Sequence, residues 1–404
     1  MVGDMDVSGY SAVLGDRSLF PNLQARAYLN HSAISPPSVP VQATASKTIE
    51  RYAQDGVYAF KVLQEERRLL RAQVARFVGA QANEIAFVPN TSSGVLAVAL
   101  CFPWQAGDTL VCFNGEFPTN VTPWQRAAEL FNLRLEFQDA WMFLSEPEAA
   151  LNRLEALLQE GVRLVAISAV QFQSGLRMPL MALSSLCHEY GAKLFVDGIQ
   201  ACGVVPLDVV AEGVDYMSVG SHKWMMGLEG AAFLYVKSEL QSSLRPVTAS
   251  WLSHEEPLKF LFEGEGHLRY DRPIRSNIDF LEFGAQNTPG QLSMGASLGL
   301  IDEIGVEAVY DHVQVYNDRL ETALLERGFT SLRASWVGGR SGILSVRAPY
   351  DHDGGQLAHG LNIHGIACTS PDGLIRFAPH WPNSLDEIPE VLEALDATMK
   401  GIDG

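Results

Sequence analysis

Residues 193–230 read KLFVDGIQACGVVPLDVVAEGVDYMSVGSHKWMMGLEG, and this stretch decides how the rest of the chain is interpreted. It contains two apolar, strand-like segments, 193–199 and 216–221. Asp197 lies near the end of the first segment, and Lys223 follows the second. Because ligands collect at the carboxyl ends of strands in an open α/β sheet, we expect Asp197 and Lys223 to share one pocket, although 26 residues separate them.

Strand-like and helix-like segments alternate through the middle of the chain. The strand-like segments are short, β-branched and largely apolar on both faces, which is typical of strands buried in a parallel sheet. They cover residues 109–114, 133–139, 163–170, 193–199, 216–221 and 231–237. Helical patterns such as 146–161 and 181–192 lie between them. This alternation predicts an α/β layered domain with right-handed crossovers.

The pattern changes after about residue 290. Residues 292–328 predict a helix, a break near Gly305 and then a long amphipathic helix, followed by shorter strand-like and helical segments. We therefore predict an N-terminal arm over residues 1–35, a large domain over 36–300 and a small α+β domain over 301–404. The arm is expected to pack on the small domain.

Composition excludes several classes of function. The net charge of −18 disfavours nucleic acid and anionic membranes as partners. Five scattered cysteines without a CxxC pair suit reduced thiols, and no apolar run has the length of a secretory signal or a membrane span, so a cytoplasmic location is expected. Histidines and cysteines lack metal-ligand spacing, so no metal site is expected. No strand is followed by GxGxxG, which disfavours NAD.

The residue types at the strand ends suit pyridoxal 5'-phosphate (PLP). This cofactor needs a lysine amine for its aldehyde and a carboxylate that keeps its pyridine nitrogen protonated, and Lys223 and Asp197 can supply both. NTSSG (90–94) leads into a helix N-terminus with free hydroxyls, which suits the phosphate. Phe117, after the strand-like segment 109–114, is positioned to cover the ring.

With these segments in order, the chain resembles the class V aminotransferase family of fold-type I PLP enzymes, which includes cysteine desulfurases and isopenicillin N epimerase. DGIQ followed 26 residues later by SHK is the most specific match. Further matching segments are AYLNHSAISPP (27–37), FVPNTSSGV (87–95), EFPTNVTPWQ (116–125), AVQFQSG (169–175), LEFGAQNTPG (281–290) and GLIRFAPHWPNSLDEI (373–388). The resemblance implies a large domain with a mostly parallel sheet, a small α+β C-terminal domain, and a homodimer with its active sites between subunits.

The resemblance also implies roles for individual residues. Lys223 is the expected Schiff-base lysine and proton shuttle, and Asp197 the partner of the pyridine nitrogen. The other expected cofactor contacts are Gln200 at the ring oxygen, Thr91, Ser92 and His222 at the phosphate, Phe117 on the ring, and Asn287 or Thr288 reaching across the dimer interface. Arg376 is expected to bind the carboxylate of an amino-acid substrate. His31 is expected near the substrate, although a structural role is equally compatible with its position.

One departure from the family bears on the reaction. Desulfurases that form a persulfide carry a cysteine on a loop shortly before the final arginine motif. Here that region reads GIACTSPDGLIRF, with Cys368 inside an apparent strand and only a short turn after it. The sequence therefore disfavours a desulfurase that forms a persulfide. Because most of the matching motifs resemble desulfurase- and lyase-like members, the resemblance favours β-elimination from a sulfur-containing amino acid without a persulfide cysteine. Transamination to a 2-oxo acid, epimerisation and a non-catalytic PLP-fold scaffold remain as alternatives.

Overall fold

The computed structural model describes residues 9–349 and 352–403, so the first eight residues of the predicted arm lie outside the described part. The strands are β1 (Ala27–Tyr28), β2 (Ile85–Val88), β3 (Thr109–Asn114), β4 (Arg134–Asp139), β5 (Val162–Ser168), β6 (Lys193–Asp197), β7 (Tyr216–Gly220), β8 (Ala232–Val236), β9 (Thr330–Ser331), β10 (Leu344–Arg347), β11 (Ile366–Ala367) and β12 (Ile375–Phe377). The α-helices are α1 (Val39–Asp55), α2 (Ala59–Phe77), α3 (Thr91–Cys101), α4 (Thr122–Phe131), α5 (Met142–Ser145), α6 (Pro147–Gln159), α7 (Leu180–Glu189), α8 (Ser238–Gln241), α9 (Lys259–Phe262), α10 (Thr288–Ile304), α11 (Val306–Glu326), α12 (Gly354–Ile363) and α13 (Ile388–Asp403). Short 3-10 turns lie at Gly56–Tyr58, Ala82–Glu84, Pro118–Asn120, Trp251–Ser253, Ile278–Leu281, Val337–Gly339, Pro371–Gly373 and Leu385–Glu387.

A seven-stranded sheet forms the centre of the large part of the chain, in the order β2-β8-β7-β6-β5-β3-β4. All neighbouring pairs from β4 to β7 are parallel, and β8 runs antiparallel to both β7 and β2. The predicted α/β fold with a mostly parallel sheet is thus confirmed. Helices cover both faces, so β6, β7 and β8 are almost entirely buried.

One strand differs from the predicted burial on both faces. β4 is half exposed along its length, because it pairs only with β3 and forms an edge of the sheet. An apolar strand pattern predicts that a strand forms, but it does not give the strand's position in the sheet.

The C-terminal part has its own apolar cluster, built by α11, α12, α13 and the strands between them. β9, β10 and β12 form an antiparallel sheet, and Gly305 separates α10 from α11 as predicted. β1 pairs in parallel with β11, so the described part of the arm packs on the C-terminal segment. The predicted boundary at residue 300 falls inside α10, and the domain limits remain a prediction. No helix among the described residues is long and apolar enough to cross a bilayer.

Candidate active site

Asp197 and Lys223 interact electrostatically at the carboxyl ends of β6 and β7. Asp197 is the last residue of β6 and is 2% exposed, and Lys223 is the third residue after β7. The pKa of Asp197 is raised to about 7, mainly by burial and also by the charge of Glu116, while the hydrogen bond from the Ile199 N–H and the charge of Lys223 oppose the rise. Burial lowers the pKa of Lys223 to about 8, while the charge of Asp197 opposes the fall. The structure thus brings the two predicted catalytic side chains into one electrostatic environment.

The segment that carries the lysine, which we call the lysine loop (residues 221–227), is held from the N-terminal side. The Ser35 hydroxyl donates to the Lys223 carbonyl at 2.6 Å, and the Ser35 backbone N–H donates to the His222 carbonyl at 2.8 Å. His31 Nδ1 lies 2.7 Å from the Ser35 hydroxyl, and its ring is 2% exposed. His31 therefore lies behind the lysine loop, where it supports Ser35, and its role with substrate remains a prediction.

The C-terminal segment holds the same loop from another side. His380 Nε2 donates to the Trp224 carbonyl at 2.7 Å, while its Nδ1 accepts from the Trp381 backbone N–H. This pairing uses both ring nitrogens of a neutral histidine, and burial lowers the pKa of His380 to about 4. Within the loop, Met226 adopts a left-handed conformation with φ of 53°, which non-glycine residues rarely adopt.

The N-terminus of α3 carries the residues predicted to bind phosphate, and its contacts position them close to β7. A Cβ at Gly94 would lie 2.1 Å from the Ser218 hydroxyl oxygen, so this glycine lets α3 approach β7 closely. Ser218 in turn donates to the Thr91 carbonyl at 2.9 Å. The Thr91 hydroxyl is buried and has no hydrogen-bond partner within the described residues. A Cβ at Gly220 would lie 2.9 Å from that hydroxyl and 3.3 Å from His222 Cε1, so the three residues converge on one small space.

Phe117 and Arg376 both lie near Lys223. Lys223 Nζ is 5.5 Å from the centroid of the Phe117 ring, which is 45% exposed. Phe172 packs edge-on against Phe117 at 5.3 Å between centroids. Arg376 donates from Nη1 to the Phe172 carbonyl at 2.8 Å, and its buried Nε has no partner within the described residues. Burial lowers the pKa of Arg376 to about 10, which leaves it cationic at neutral pH.

The remaining predicted contacts already have partners in the chain. Gln200 Nε2 donates to the Ser32 carbonyl at 3.1 Å, and Gln200 Oε1 accepts from Trp224 Nε1 at 2.8 Å. The exposed Ser92 hydroxyl bonds the Thr119 hydroxyl. Asn287 caps α10 by accepting from Gly290, and it donates to the Gly230 carbonyl. Thr288 is 5% exposed. A contact of Asn287 or Thr288 with a second subunit remains a prediction.

Sequence reasoning missed Glu116, Ser35 and His380. Glu116 is a buried carboxylate directly before Phe117, and the turn-like, largely polar residues around it gave no signal that it is enclosed. Ser35 and His380 gave no signal either, because a hydrogen bond from a side chain to a carbonyl far away in the chain leaves no pattern in the neighbouring sequence.

These residues fit PLP. Lys223 offers an amine of lowered pKa, Asp197 a carboxylate, Thr91 an unpaired buried hydroxyl at a helix N-terminus, and Phe117 an exposed ring face. In residues 9–349 and 352–403, no group of three or more His, Cys, Asp or Glu side chains could hold a metal ion.

The chain is similar to known proteins over most of its length. A family model described as aminotransferase class-V matches residues 28–375. The uncharacterized aminotransferase YcbU of Bacillus subtilis is 26% identical over 388 residues, which cover 94% of this chain and 96% of that protein. The apo structure of cysteine desulfurase from Thermococcus onnurineus superimposes with a TM-score of 0.83 at 23% identity, covering 93% of this chain and 95% of that one. A C-DES mutant with glycine covalently linked to its PLP cofactor gives a TM-score of 0.85 at 21% identity, covering 94% and 99%. These similarities confirm the fold-type I architecture, and the chain belongs to the class V aminotransferase family of PLP-dependent enzymes.

Proposed function

We propose that the protein cleaves the C–S bond of a sulfur-containing amino acid by β-elimination and carries no persulfide on a cysteine of its own. The observation that carries this proposal is the position of Cys368. It is 3% exposed within the C-terminal apolar cluster, and burial raises the pKa of its thiol to about 12. Because the thiolate is the nucleophile, a buried thiol of this pKa is inert.

The local backbone supports the same conclusion. Thr369 and Arg376 bond each other through their backbones in an antiparallel bridge, and a turn over 370–373 closes the hairpin. No long loop is left there to present a cysteine to a substrate. The other four cysteines are also buried, so none is placed to accept sulfur.

The chain's own groups can perform the elimination. Bound PLP would supply an electron sink for the carbanion at the substrate Cα. Arg376 binds the substrate carboxylate, and Asp197 holds a proton on the ring nitrogen. Lys223, with a pKa lowered to about 8, removes the Cα proton as a neutral amine. The Cα–H electron pair forms the Cα–Cβ double bond, the C–S pair leaves with sulfur, and the released enamine hydrolyses to a 2-oxo acid and ammonia.

Named relatives favour sulfur chemistry. C-DES is described as a cystine C–S lyase, and several similar proteins are described as cysteine desulfurases. The test is an assay of sulfide or persulfide release and of stoichiometric 2-oxo acid from cysteine, cystine and cysteine S-conjugates. Equal release by wild type and Cys368→Ala supports the proposal. Loss of sulfur release in Cys368→Ala, with its fold intact, would contradict it.

Transamination is the second candidate, because YcbU, which matches nearly the whole chain, is described as an aminotransferase. In that reaction Lys223 would deliver the proton to bound PLP, and no group would leave from the substrate Cβ. An assay of the wild-type enzyme separates transamination from elimination. Amination of an added 2-oxo acid without release of sulfur would replace the lyase proposal.

We further propose that the chain acts as a cytoplasmic homodimer, with an amino acid as its small-molecule partner. The exposed large apolar side chains include Val57 and Tyr58 between α1 and α2, and Trp251, Phe262 and Tyr270 in the segment before α10. Exposed apolar surface of this extent is typical of protein interfaces. A mass in solution of about twice 44.2 kDa is expected by light scattering, and a monomer at micromolar concentration would contradict the dimer.

A further inference from the structure

Glu116 is a buried carboxylate with four hydrogen-bond donors around it, and the reaction described above does not use it. It is 8% exposed. Its Oε1 accepts from the Ser168 backbone N–H at 2.7 Å and from Gln171 Nε2 at 2.8 Å. Its Oε2 accepts from the Ser168 hydroxyl and from Asn120 Nδ2, the latter at 3.3 Å. A carboxylate in such a set of donors is fixed in position.

Each donor belongs to a segment that builds the active site. Ser168 ends β5 and is the register partner of Asp197 on β6, so both lie at the same edge of the sheet. The neighbouring Ala169 N–H donates to the Asp197 carbonyl at 2.8 Å. Gln171 directly precedes Phe172. The Glu116 carboxylate therefore connects the end of β5 with the segment that carries the edge-on aromatic partner of Phe117.

The fourth donor lies in what we call the stacking loop (residues 115–121), which carries Phe117. Asn120 donates to Glu116 and accepts from Trp124 Nε1 at 3.0 Å. Hydrogen bonds of Glu116 thus connect the stacking loop to the end of β5, and the bond between Asn120 and Trp124 connects it to α4. Because Phe117 is the next residue after Glu116, the position of its ring above Lys223 depends on this connection.

The negative charge of the Glu116 carboxylate also acts on Asp197. Burial raises the pKa of Glu116, and its hydrogen bonds oppose that rise. The titratable groups that act on Asp197 are Glu116, which raises its pKa, and Lys223, which lowers it. Cys112 on β3 faces Glu116, and burial raises its thiol pKa far above neutrality, so it adds no charge.

We propose that Glu116 is a second carboxylate of the cofactor site, a positioning residue that fixes the stacking loop on the end of β5 and places a negative charge beside Asp197. The inference depends on PLP binding alone and holds whether the reaction is elimination or transamination.

Glu116→Gln in the PLP-loaded enzyme tests the charge. Glutamine keeps the size of the side chain and its Oε1 contacts but removes the charge. A nearby negative charge favours the protonated form of a group, so its removal shifts the pH titration of the visible absorbance of bound PLP to lower pH. We expect a shift of the midpoint on the order of one pH unit. A titration midpoint equal to that of the wild type would overturn the proposal that Glu116 places a negative charge beside Asp197.

Glu84→Gln is the matched control. Glu84 is also buried and accepts from the Ser238 N–H, the Ser238 hydroxyl and the Gln81 N–H. It lies directly before β2, at the amino end of that strand, whereas Glu116 lies at the carboxyl ends of the strands. Its variant should titrate like wild type. An equal shift in both variants would show a general effect of losing a buried carboxylate and would contradict the proposal.

Glu116→Asp tests the positioning. Aspartate keeps the charge but is one methylene shorter, so it cannot reach Ser168 and Gln171 together. The titration midpoint should stay near that of wild type, whereas the dissociation constant of PLP, measured by fluorescence titration of the apoenzyme, should rise about tenfold. Wild-type PLP affinity in Glu116→Asp would overturn the positioning role. This test does not depend on whether Glu116→Gln folds. A wild-type protein that binds no PLP would instead contradict the cofactor assignment.

Discussion

Lys223 has a proton affinity set by two opposing effects. Burial disfavours its ammonium form, and the neighbouring Asp197 favours it, with burial prevailing. The amine is therefore partly neutral at physiological pH, where an exposed lysine is almost fully protonated. A neutral amine is what both attack on the PLP aldehyde and removal of a Cα proton require.

A pH dependence of cofactor loading follows. The neutral fraction of Lys223 falls tenfold for each pH unit below its pKa, so the rate of covalent PLP attachment to apoenzyme should rise about tenfold per unit up to about pH 8 and then level off. Stopped-flow absorbance measures this rate. A rate that continues to rise up to pH 10 would mean that the lysine has an ordinary pKa. Lys223→Ala should show no covalent attachment, while Lys237→Ala, which changes a half-buried lysine paired with Glu239, should behave like wild type.

Arg376 is expected to bind the substrate through two parallel hydrogen bonds. Arg376→Lys keeps the charge but loses the planar pair of donors and the bond to Phe172, so kcat/KM should fall about 10- to 100-fold. Steady-state kinetics with the identified substrate check this. PLP absorbance should persist in the variant. Arg327→Lys, at a pair with Asp396 near the surface, serves as the control and should stay within twofold of wild type.

At the scale of elements, the contact between α3 and β7 sets the phosphate site. Gly94→Ala places a methyl group 2.1 Å from the Ser218 hydroxyl oxygen, so the first turn of α3 must move. We expect a loss of about 1–3 kcal/mol in the free energy of unfolding and weaker PLP binding, because Thr91 moves with the helix. Denaturant unfolding and PLP titration measure both effects. Gly401→Ala in α13, where a Cβ meets nothing within 4 Å, is the control, and equal losses in both variants would contradict this account.

Elements also show how far the sequence could predict the structure. The positions of strands β3 to β8 and of helices α6, α7 and α11 were predictable because their side-chain patterns are typical of strands and of amphipathic helices. The proximity of Asp197 and Lys223 was predictable because strand ends meet at one end of a parallel sheet. The exposure of β4 was not predictable, since the edge of a sheet is set by strand order. The contacts of Gln200 with Ser32 and Trp224 were hidden for a similar reason: they join residues distant in sequence.

At the scale of the whole molecule, the lysine loop is held by parts of the chain far from it. Ser35 precedes Lys223 by 188 residues, and His380 follows Trp224 by 156 residues. The arm, the large sheet and the C-terminal segment therefore meet at the backbone of one loop. The position of the reactive amine depends on how all three are packed.

Ser35→Ala should make this dependence measurable. The change removes one buried hydrogen bond to the Lys223 carbonyl, worth about 1 kcal/mol, and so should weaken PLP binding roughly fivefold. Far-UV circular dichroism should be unchanged. Ser18→Ala, on the exposed part of the arm, should not change PLP affinity. Wild-type affinity in Ser35→Ala would show that the arm does not position the lysine.

The double anchoring of the lysine loop has a consequence for biosynthesis. A nascent chain contains Lys223 and the whole central sheet long before residue 380 leaves the ribosome. Contacts of such large sequence separation form late, since closing long loops costs entropy before any contact forms. Acquisition of the cofactor is therefore expected only after residue 380 has been synthesised, and holoenzyme formation reports that the segment around His380 has reached its place.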